Sequence, residues 1–308
     1  MLAPPPLRPG DAIAIIPTAR AIALGELEAG IALAESWGLR VKLGRGVGRK
    51  QFQQAGSAEE RAADLMAALA DDEVKAVWCA RGGYGTVHLL ELLDWAMVRE
   101  HPKWIVGFSD ITVLHAAWHK MGLCTLHAQM PFNIASKTPA CVASLKAALL
   151  GPPGPITAPA PTGPVPNRTG KAEGVLVGGN LSLLYALRGT PYDLDTRDKV
   201  LFIEDLDELL YHVDRMVMNL KLGKLLDGLA GLVVGGMSDM HDKNPDDPFG
   251  LTAEEIIARA VQGKDFPVCW NFPAGHLADN RALVLGQKVK LNVEPAGATL
   301  SFNELQGA

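Results

Sequence analysis

Short apolar runs alternate with segments of helical spacing through the first 150 residues of the chain. Apolar positions three and four residues apart predict helices at residues 27–37 and 111–121, and a third helix that starts at the capping box of Ser57 and Glu60 and runs to Ala70. Runs bounded by proline, glycine or charged residues predict strands at residues 11–17, 39–43, 74–79, 104–106 and 123–126. Strands that alternate with helices in this way indicate a parallel sheet covered by helices on both faces.

The alternation stops at residues 151–170, which contain seven prolines and four glycines. Such a segment cannot continue a helix or a central strand, because proline lacks the backbone N–H that both require. We therefore predict a linker at 151–170 between an N-terminal domain, residues 1–150, and a C-terminal domain, residues 171–308.

The C-terminal segment is richer in strand-like runs. Its first part predicts strands at 174–177, 200–203 and 229–234, with helices at 181–187, 208–226 and 253–261. Short β-like runs follow at residues 268–272, 282–285, 288–293 and 299–302. The predicted fold class is α/β, with an antiparallel or mixed sheet or a small barrel in the second domain.

Composition narrows the class of protein. The 308 residues suit two domains of roughly 100–200 residues each, and a hydrophobic content of 48% with 20% charged residues excludes a disordered chain. The net charge is −5 and no basic block occurs, so we expect no nucleic-acid partner. No apolar stretch approaches the ~20 residues of a membrane helix, and we expect no membrane partner.

The termini and the cysteines point to the cytoplasm. Residues 1–8 lack the basic-then-apolar pattern of a secretory signal. The chain has no C-x-x-C zinc pattern and no dense disulfide framework, since its cysteines are widely separated, at Cys79, Cys124, Cys141 and Cys269. We expect reduced, buried thiols.

A serine stands where a predicted strand turns into a predicted helix. Residues 107–110 read Gly-Phe-Ser-Asp, so Ser109 would present its hydroxyl at the carboxyl end of the sheet, beside the first N–H groups of the following helix. This context suits a nucleophile whose oxyanion is stabilised by those N–H groups. A helix cap is an equally consistent interpretation of Ser109. Ser238 repeats the G-x-S-D pattern, but a polar, proline-broken loop follows it, which makes it the weaker candidate.

A nucleophilic serine requires a base held by an acid. Among eight histidines, His115 and His119 share one helix face, and His127 ends a strand near the edge that carries Ser109. His276 follows a proline and a glycine that would fix its loop, although an ordinary turn histidine fits that segment too. Glu204 is the first acid after the strand at 200–203, whereas the acids after it also fit solvated charges.

Two glycine-rich turns complete the set of motifs. The glycine loop, residues 81–85 (Arg-Gly-Gly-Tyr-Gly), follows a strand and could present N–H groups to a carboxylate or an oxyanion. It matches neither the G-x-G-x-x-G nor the P-loop pattern, which disfavours binding of a nucleotide phosphate. An NAD-dependent enzyme is disfavoured because Ala19-Arg20-Ala21 stands after the first strand, where the G-x-G-x-x-G pattern would be expected. Gly178, Gly179 and Asn180 form a similar turn, in which Asn180 would cap the next helix.

Taken together, these motifs resemble the serine LD-carboxypeptidases, or muramoyltetrapeptide carboxypeptidases. The matching pieces occur in the family's order and span nearly the whole chain, at residues 9–11, 81–85, 107–110, 178–181, 203–205 and 273–276. The chain departs from the family at Thr18, where a serine is expected.

The resemblance implies a Rossmann-like N-terminal domain, a smaller β-rich, barrel-like C-terminal domain and a homodimer in the bacterial cytoplasm. It also implies a Ser-His-Glu hydrolase, with Ser109 as nucleophile, His276 as base and Glu204 as orienting acid, that uses neither metal nor cofactor. Such enzymes remove the terminal D-alanine from murein tetrapeptides during peptidoglycan recycling.

For that reaction we expect the backbone N–H groups of Asp110 and Gly83 to form the oxyanion hole. The residues expected to contact substrate are Arg81, Gly82, Tyr84 and Asn180. The alternatives are a hydrolase of peptidyl- or aminoacyl-nucleotides of the microcin C immunity type, and a ligand-binding protein without catalysis. The short stretch between Glu204 and His276 favours the carboxypeptidase, because nucleotide-cleaving relatives would carry an extra loop there.

Overall fold

The computed structural model describes residues 1–303, which form two compact units. Unit 1 comprises residues 1–153 and 278–286, and unit 2 comprises residues 154–277 and 287–303. The strands are β1 (Ala12–Ile16), β2 (Arg40–Leu43), β3 (Val74–Cys79), β4 (Trp104–Gly107), β5 (Thr125–His127), β6 (Ile156–Pro159), β7 (Gly170–Asn180), β8 (Lys199–Leu206), β9 (Gly231–Ser238), β10 (Val268–Cys269), β11 (Leu283–Leu285), β12 (Lys288–Glu294) and β13 (Gly297–Phe302). The helices are α1 (Glu28–Ser36), α2 (Ala58–Ala70), α3 (Trp95–Glu100), α4 (Thr112–Lys120), α5 (Pro139–Leu150), α6 (Leu181–Ala186), α7 (Leu210–Leu222) and α8 (Ala253–Ala260).

Unit 1 is built on a sheet with the order β11-β5-β4-β3-β1-β2. Strands β1 to β5 pair in parallel and β11 pairs antiparallel with β5. Every residue of β1 and β4 is buried, as expected for parallel strands covered by helices on both faces. Because parallel strands share one carboxyl edge, β3 delivers the glycine loop and β4 delivers Ser109 to the same edge of the sheet.

Unit 2 contains a mixed sheet with the order β10-β9-β8-β7-β12-β13-β6. Strands β7 to β10 pair in parallel, whereas β12 and β13 form an antiparallel hairpin that joins β7 to β6. An isolated antiparallel bridge also links Arg168, which precedes β7, to Val268 in β10. The mixed α/β fold class predicted from the sequence is confirmed.

Some elements differ from the sequence prediction. Strand β11, predicted in the second domain, instead completes the edge of the sheet in unit 1. Strand β6 lies within the predicted linker, at a sheet edge where proline is tolerated because no neighbour needs its N–H. Helix α5, which starts with a proline at its first position after the cap Thr138, was not predicted.

We predict that Ser57→Ala lowers the free energy of unfolding by about 1 kcal/mol. The Ser57 side chain accepts the Glu60 N–H at 3.2 Å and the Glu60 side chain accepts the Ser57 N–H at 2.9 Å, which confirms the predicted capping box. Urea denaturation measures the change. Ser36→Ala is the control, since the exposed Ser36 hydroxyl only bonds the Leu33 carbonyl of its own helix. Equal effects of the two substitutions would contradict a stabilising cap.

Candidate active site

Ser109 occupies a strained turn between β4 and α4. Its φ angle is +63°, in the left-handed region that costs a non-glycine residue about 1–2 kcal/mol. A short 3₁₀ helix, Ser109–Ile111, leads into α4, and the cap position of that turn is Phe108. Ser109 is therefore not a helix cap, and such strain in a partly exposed serine is typical of a functional site.

Residues before and after Ser109 hold the turn in this shape. A methyl group on Gly107 would lie 2.8 Å from Ile111 Cγ1, so the tight approach requires glycine at 107. The Nε2 of His115 lies 2.9 Å from the Gly107 carbonyl oxygen. Burial lowers the pKa of His115 to about 4, so the neutral ring donates its Nε2–H to that carbonyl.

The glycine loop lies against Ser109. A methyl group on Gly82 would be 3.5 Å from Ser109 Oγ, and Gly83 has a φ angle of +112°. Asp110 ties the loop to the serine turn, because its Oδ2 accepts the Thr86 N–H at 2.9 Å. The Asp110 backbone N–H lies in the first turn of the 3₁₀ helix, where N–H groups have no acceptor within the helix.

Two further loop residues face different surroundings. The Arg81 guanidinium lies 4.1 Å from the centre of the Phe132 ring and 3.7 Å from Glu26 Oε1, and burial lowers its pKa. Tyr84 is 53% exposed and contacts His88 edge-on. Arg81 is thus a fixed cation beside the loop, whereas Tyr84 projects towards solvent.

Unit 2 contains a buried acid in contact with a histidine. The His276 Nδ1 lies 2.6 Å from Oε2 of Glu204, which is fully buried, and the His276 backbone N–H donates to the same oxygen at 3.2 Å. The His276 side chain is 15% exposed. Since a carboxylate only accepts, Nδ1 carries the proton, and Nε2 is the ring nitrogen that can act as a base.

The backbone around His276 is adapted to this contact. Gly275 has a φ angle of +105°, and a methyl group there would lie 2.6 Å from Glu204 Oε2. The Ser238 hydroxyl donates to the His276 carbonyl oxygen at 3.0 Å. Ser238, the weaker nucleophile candidate in the sequence, therefore supports the backbone of His276, a role that the G-x-S-D pattern could not reveal.

Asp205, next to Glu204, is also buried, although the sequence suggested a solvated charge. It accepts the Asn180 side-chain N–H at 2.8 Å and the Ser182 backbone N–H at 2.9 Å. Burial, and then the charge of Glu204, raise the pKa of Asp205 to about 7. Asn180 caps α6 as predicted, and its side chain lies inside unit 2 behind this acid pair.

The remaining predicted chemistry concerns metals and membranes. Within residues 1–303, no cluster of three or more histidine, cysteine, aspartate or glutamate side chains could hold a metal ion. Among the helices of the same residues, none is both long enough and apolar enough to cross a membrane.

We predict that the raised pKa of Asp205 makes the free energy of unfolding decrease as the pH rises. Because its folded-state pKa, about 7, exceeds the ordinary value of 3.8, the folded chain holds this proton more tightly than the unfolded chain. The stabilisation is complete below about pH 4 and is lost as the pH rises through about 7, which amounts to up to about 4 kcal/mol. Urea denaturation between about pH 5 and pH 8 measures it as the difference between the unsubstituted protein and Asp205→Asn, because His115, whose pKa burial lowers to about 4, contributes the opposite slope to both.

Asp205→Asn should remove this pH dependence, whatever its effect on absolute stability. Asp207→Asn is the matched control, because the Asp207 side chain is 74% exposed and should leave the dependence unchanged. The same slope in Asp205→Asn and the unsubstituted protein would contradict the assignment.

Comparison with known proteins identifies the family of the chain. Residues 13–128 match the LD-carboxypeptidase N-terminal domain family and residues 173–291 match the LD-carboxypeptidase C-terminal domain family. A "Probable murein peptide carboxypeptidase" of Bacillus subtilis is 37% identical over 99% of this chain and 96% of its own length. The murein tetrapeptide carboxypeptidase of Pseudomonas aeruginosa is 31% identical over 91% of this chain and 92% of its own.

Solved structures give the same result. The muramoyltetrapeptide carboxypeptidase of Oxalobacter formigenes has a TM-score of 0.84 and 28% identity, and the match covers 95% of this chain and 99% of that one. The microcin C7 self immunity protein MccF, solved with glutamyl sulfamoyl guanosine, has a TM-score of 0.87 over 99% of this chain and 100% of its own. At 22% identity the latter likeness concerns the fold alone. From its matches in both halves and its close relatives, the chain belongs to the LD-carboxypeptidase family.

Proposed function

We propose that this protein removes the terminal D-alanine from murein tetrapeptides by serine-dependent acyl transfer. The observation that carries the proposal is the strained Ser109 beside a glycine loop, in a chain related to murein peptide carboxypeptidases along its whole length. The buried Glu204–His276 contact supplies the second part of the chemistry.

In the proposed reaction Ser109 Oγ attacks the carbonyl carbon of the L,D bond before D-alanine. His276 accepts the Ser109 proton and later donates it to the leaving amine, after which a water molecule hydrolyses the acyl-enzyme. Glu204 holds the imidazole by Nδ1 and stabilises its charged form. We propose that residues 1–150 carry the nucleophile and residues 171–308 carry the acid and the base.

The oxyanion is assigned to the N–H groups of Asp110 and Gly83. Support comes from the position of Asp110 in the turn that begins at Ser109, and from the neighbouring Gly82, where an added methyl group would lie only 3.5 Å from Ser109 Oγ. We assign the substrate's terminal carboxylate to Arg81 and the Gly82 N–H, with Tyr84 at the exposed side of the loop. Asn180 is bonded to Asp205, which supports a positioning role for it behind Glu204.

The family resemblance also leads us to propose a cytoplasmic homodimer that acts in peptidoglycan recycling. The reduced state of Cys79, Cys124, Cys141 and Cys269, all of them free and buried, is consistent with a reducing compartment. Light scattering of the purified protein measures the assembly.

The first experiment measures release of D-alanine from a murein tetrapeptide. We expect release by the unsubstituted protein with or without a chelator, and loss of release in Ser109→Ala. The matched control is Ser36→Ala, the same change at an exposed serine of α1, which should retain labelling by a serine-directed phosphonate while Ser109→Ala loses it.

The possible outcomes separate the candidate functions. Release that survives in Ser109→Ala would refute the mechanism. Labelling of Ser109 without release of D-alanine would favour the alternative function, hydrolysis of a peptidyl-nucleotide. Absence of both labelling and release would favour a ligand-binding protein without catalysis.

A second experiment tests the assignment of the acid. We predict that Glu204→Gln lowers kcat by about three to four orders of magnitude, because the amide cannot stabilise the imidazolium. The chain offers a matched control, since Glu208 Oε2 lies 2.6 Å from His212 Nδ1 in a second glutamate–histidine contact. Glu208→Gln should leave kcat within about twofold, and equal losses in the two variants would refute the role of Glu204.

A further inference from the structure

A groove of about 510 Å³ lies in unit 1 next to the glycine loop. Its walls are joined by backbone hydrogen bonds, from the Ala21 N–H to the Gln53 carbonyl at 2.9 Å and from the Gly48 N–H to the Ile22 carbonyl at 2.9 Å. Two chain segments, residues 20–23 and 48–53, therefore face each other in a fixed arrangement. We call this feature the cationic groove.

The groove is lined by more positive than negative side chains. Its cations are Arg20, Arg49, Lys50 and Arg81, against one acid, Glu26. Arg49 pairs with Glu60 and Arg81 lies near Glu26, whereas in residues 1–303 neither Arg20 nor Lys50 forms an ion pair. Burial lowers the pKa of Arg81 and the charge of Arg20 adds to this effect, whereas the nearby Glu26 opposes it.

Arg20, in the wall of the groove, also reaches the glycine loop beside the candidate nucleophile. The Arg20 side chain crosses directly over Gly83, where a methyl group would lie 2.6 Å from Arg20 Cγ. At the next glycine, Gly82, an added methyl group would lie 3.4 Å from Ser109 Cβ. One residue of the glycine loop thus separates the Arg20 side chain from the serine turn.

An exposed aromatic residue stands in the same wall. Phe52 is 90% exposed and has a φ angle of +54°, a strained conformation for a bulky residue. A large apolar side chain held in this way contributes nothing to the core, whereas it offers a stacking surface to a ligand in the groove.

We propose that the cationic groove binds a part of the substrate that carries at least two anionic groups, with Arg20 as a residue that determines specificity. This proposal rests on the proposed function. The groove is far larger than D-alanine, so beyond the terminal carboxylate assigned to Arg81 it has room for the acyl side of the substrate. In the murein tetrapeptide these anionic groups are the free carboxylates of the glutamyl and diamino-acid residues. In a tetrapeptide that is linked to a nucleotide they also include the diphosphate.

The test compares three substrates for D-alanine release: the tetrapeptide with free carboxylates, the same peptide with both internal carboxylates amidated, and the nucleotide-linked tetrapeptide. We expect Arg20→Gln to raise KM for the free tetrapeptide about tenfold, with kcat within about twofold, because one charge-assisted contact is lost. KM for the amidated peptide should change less than about twofold. KM of Arg20→Lys for the free tetrapeptide should lie between the values of the unsubstituted protein and Arg20→Gln. The control is Arg99→Gln, which removes one positive charge in the last turn of α3, outside the groove.

The outcomes decide between sources of the charge. A KM effect confined to the nucleotide-linked substrate would support the groove with phosphates as its ligand. Equal KM changes for free and amidated peptides, or no change for any substrate, would overturn the proposal.

Failure of the proposed function gives a different result, since no substrate would release D-alanine. Calorimetry with inorganic tripolyphosphate then tests the groove by itself. Binding that is weakened at least about tenfold in Arg20→Gln but not in Arg99→Gln would support an anion site, and absence of binding to the unsubstituted protein would overturn it.

Discussion

Glu204 is fully buried, and a carboxylate taken out of water costs several kcal/mol unless donors meet it. In unit 2 the Oε2 atom of Glu204 receives both the ring Nδ1–H and the backbone N–H of His276. Its Oε1 is buried without a hydrogen-bond partner among residues 1–303. The acid therefore depends on His276 as much as His276 depends on the acid, which fixes the imidazole in one orientation. Two neighbours make this contact possible: Gly275 leaves room for the backbone to approach Glu204, and the Ser238 hydroxyl donates to the His276 carbonyl oxygen.

Unit 1 also contains a buried carboxylate whose removal from water has to be compensated by hydrogen-bond donors. Asp110 is fully buried beside Ser109, and burial raises its pKa although Thr86 and the charge of Arg61 oppose that effect. Arg61 also donates to the carbonyl oxygens of Thr18 and Gly85. Through these separate hydrogen bonds the two buried side chains join the loop after β1, the glycine loop and the serine turn. The Asp110 side chain thus has a structural role as acceptor of the Thr86 N–H, and its backbone N–H is the group proposed for the oxyanion hole.

The sequence predicted those features that depend on neighbouring residues. The capping box of Ser57, the cap by Asn180 and the strand–turn–helix around Ser109 are local, so spacing alone reveals them. Features that need a distant partner escaped prediction. Strand β11 carries no local sign of the sheet it joins, because any short apolar run can pair with either sheet. The burial of Asp205 and the contact of Ser238 with His276 likewise arise from segments that are far apart in the chain.

The two halves of the proposed chemistry are each organised by contacts within their own unit. The strain at Ser109 is balanced by Gly107, His115 and Asp110, and the orientation of His276 is set by Glu204 and Ser238. Groups fixed in this way need no reorganisation when charge develops on the substrate, which is where enzymes gain most of their electrostatic stabilisation. The cost of strain and of burying carboxylates is met during folding, by the packed cores of both units. A substrate that reaches Ser109 therefore has to contribute binding energy only to its own positioning.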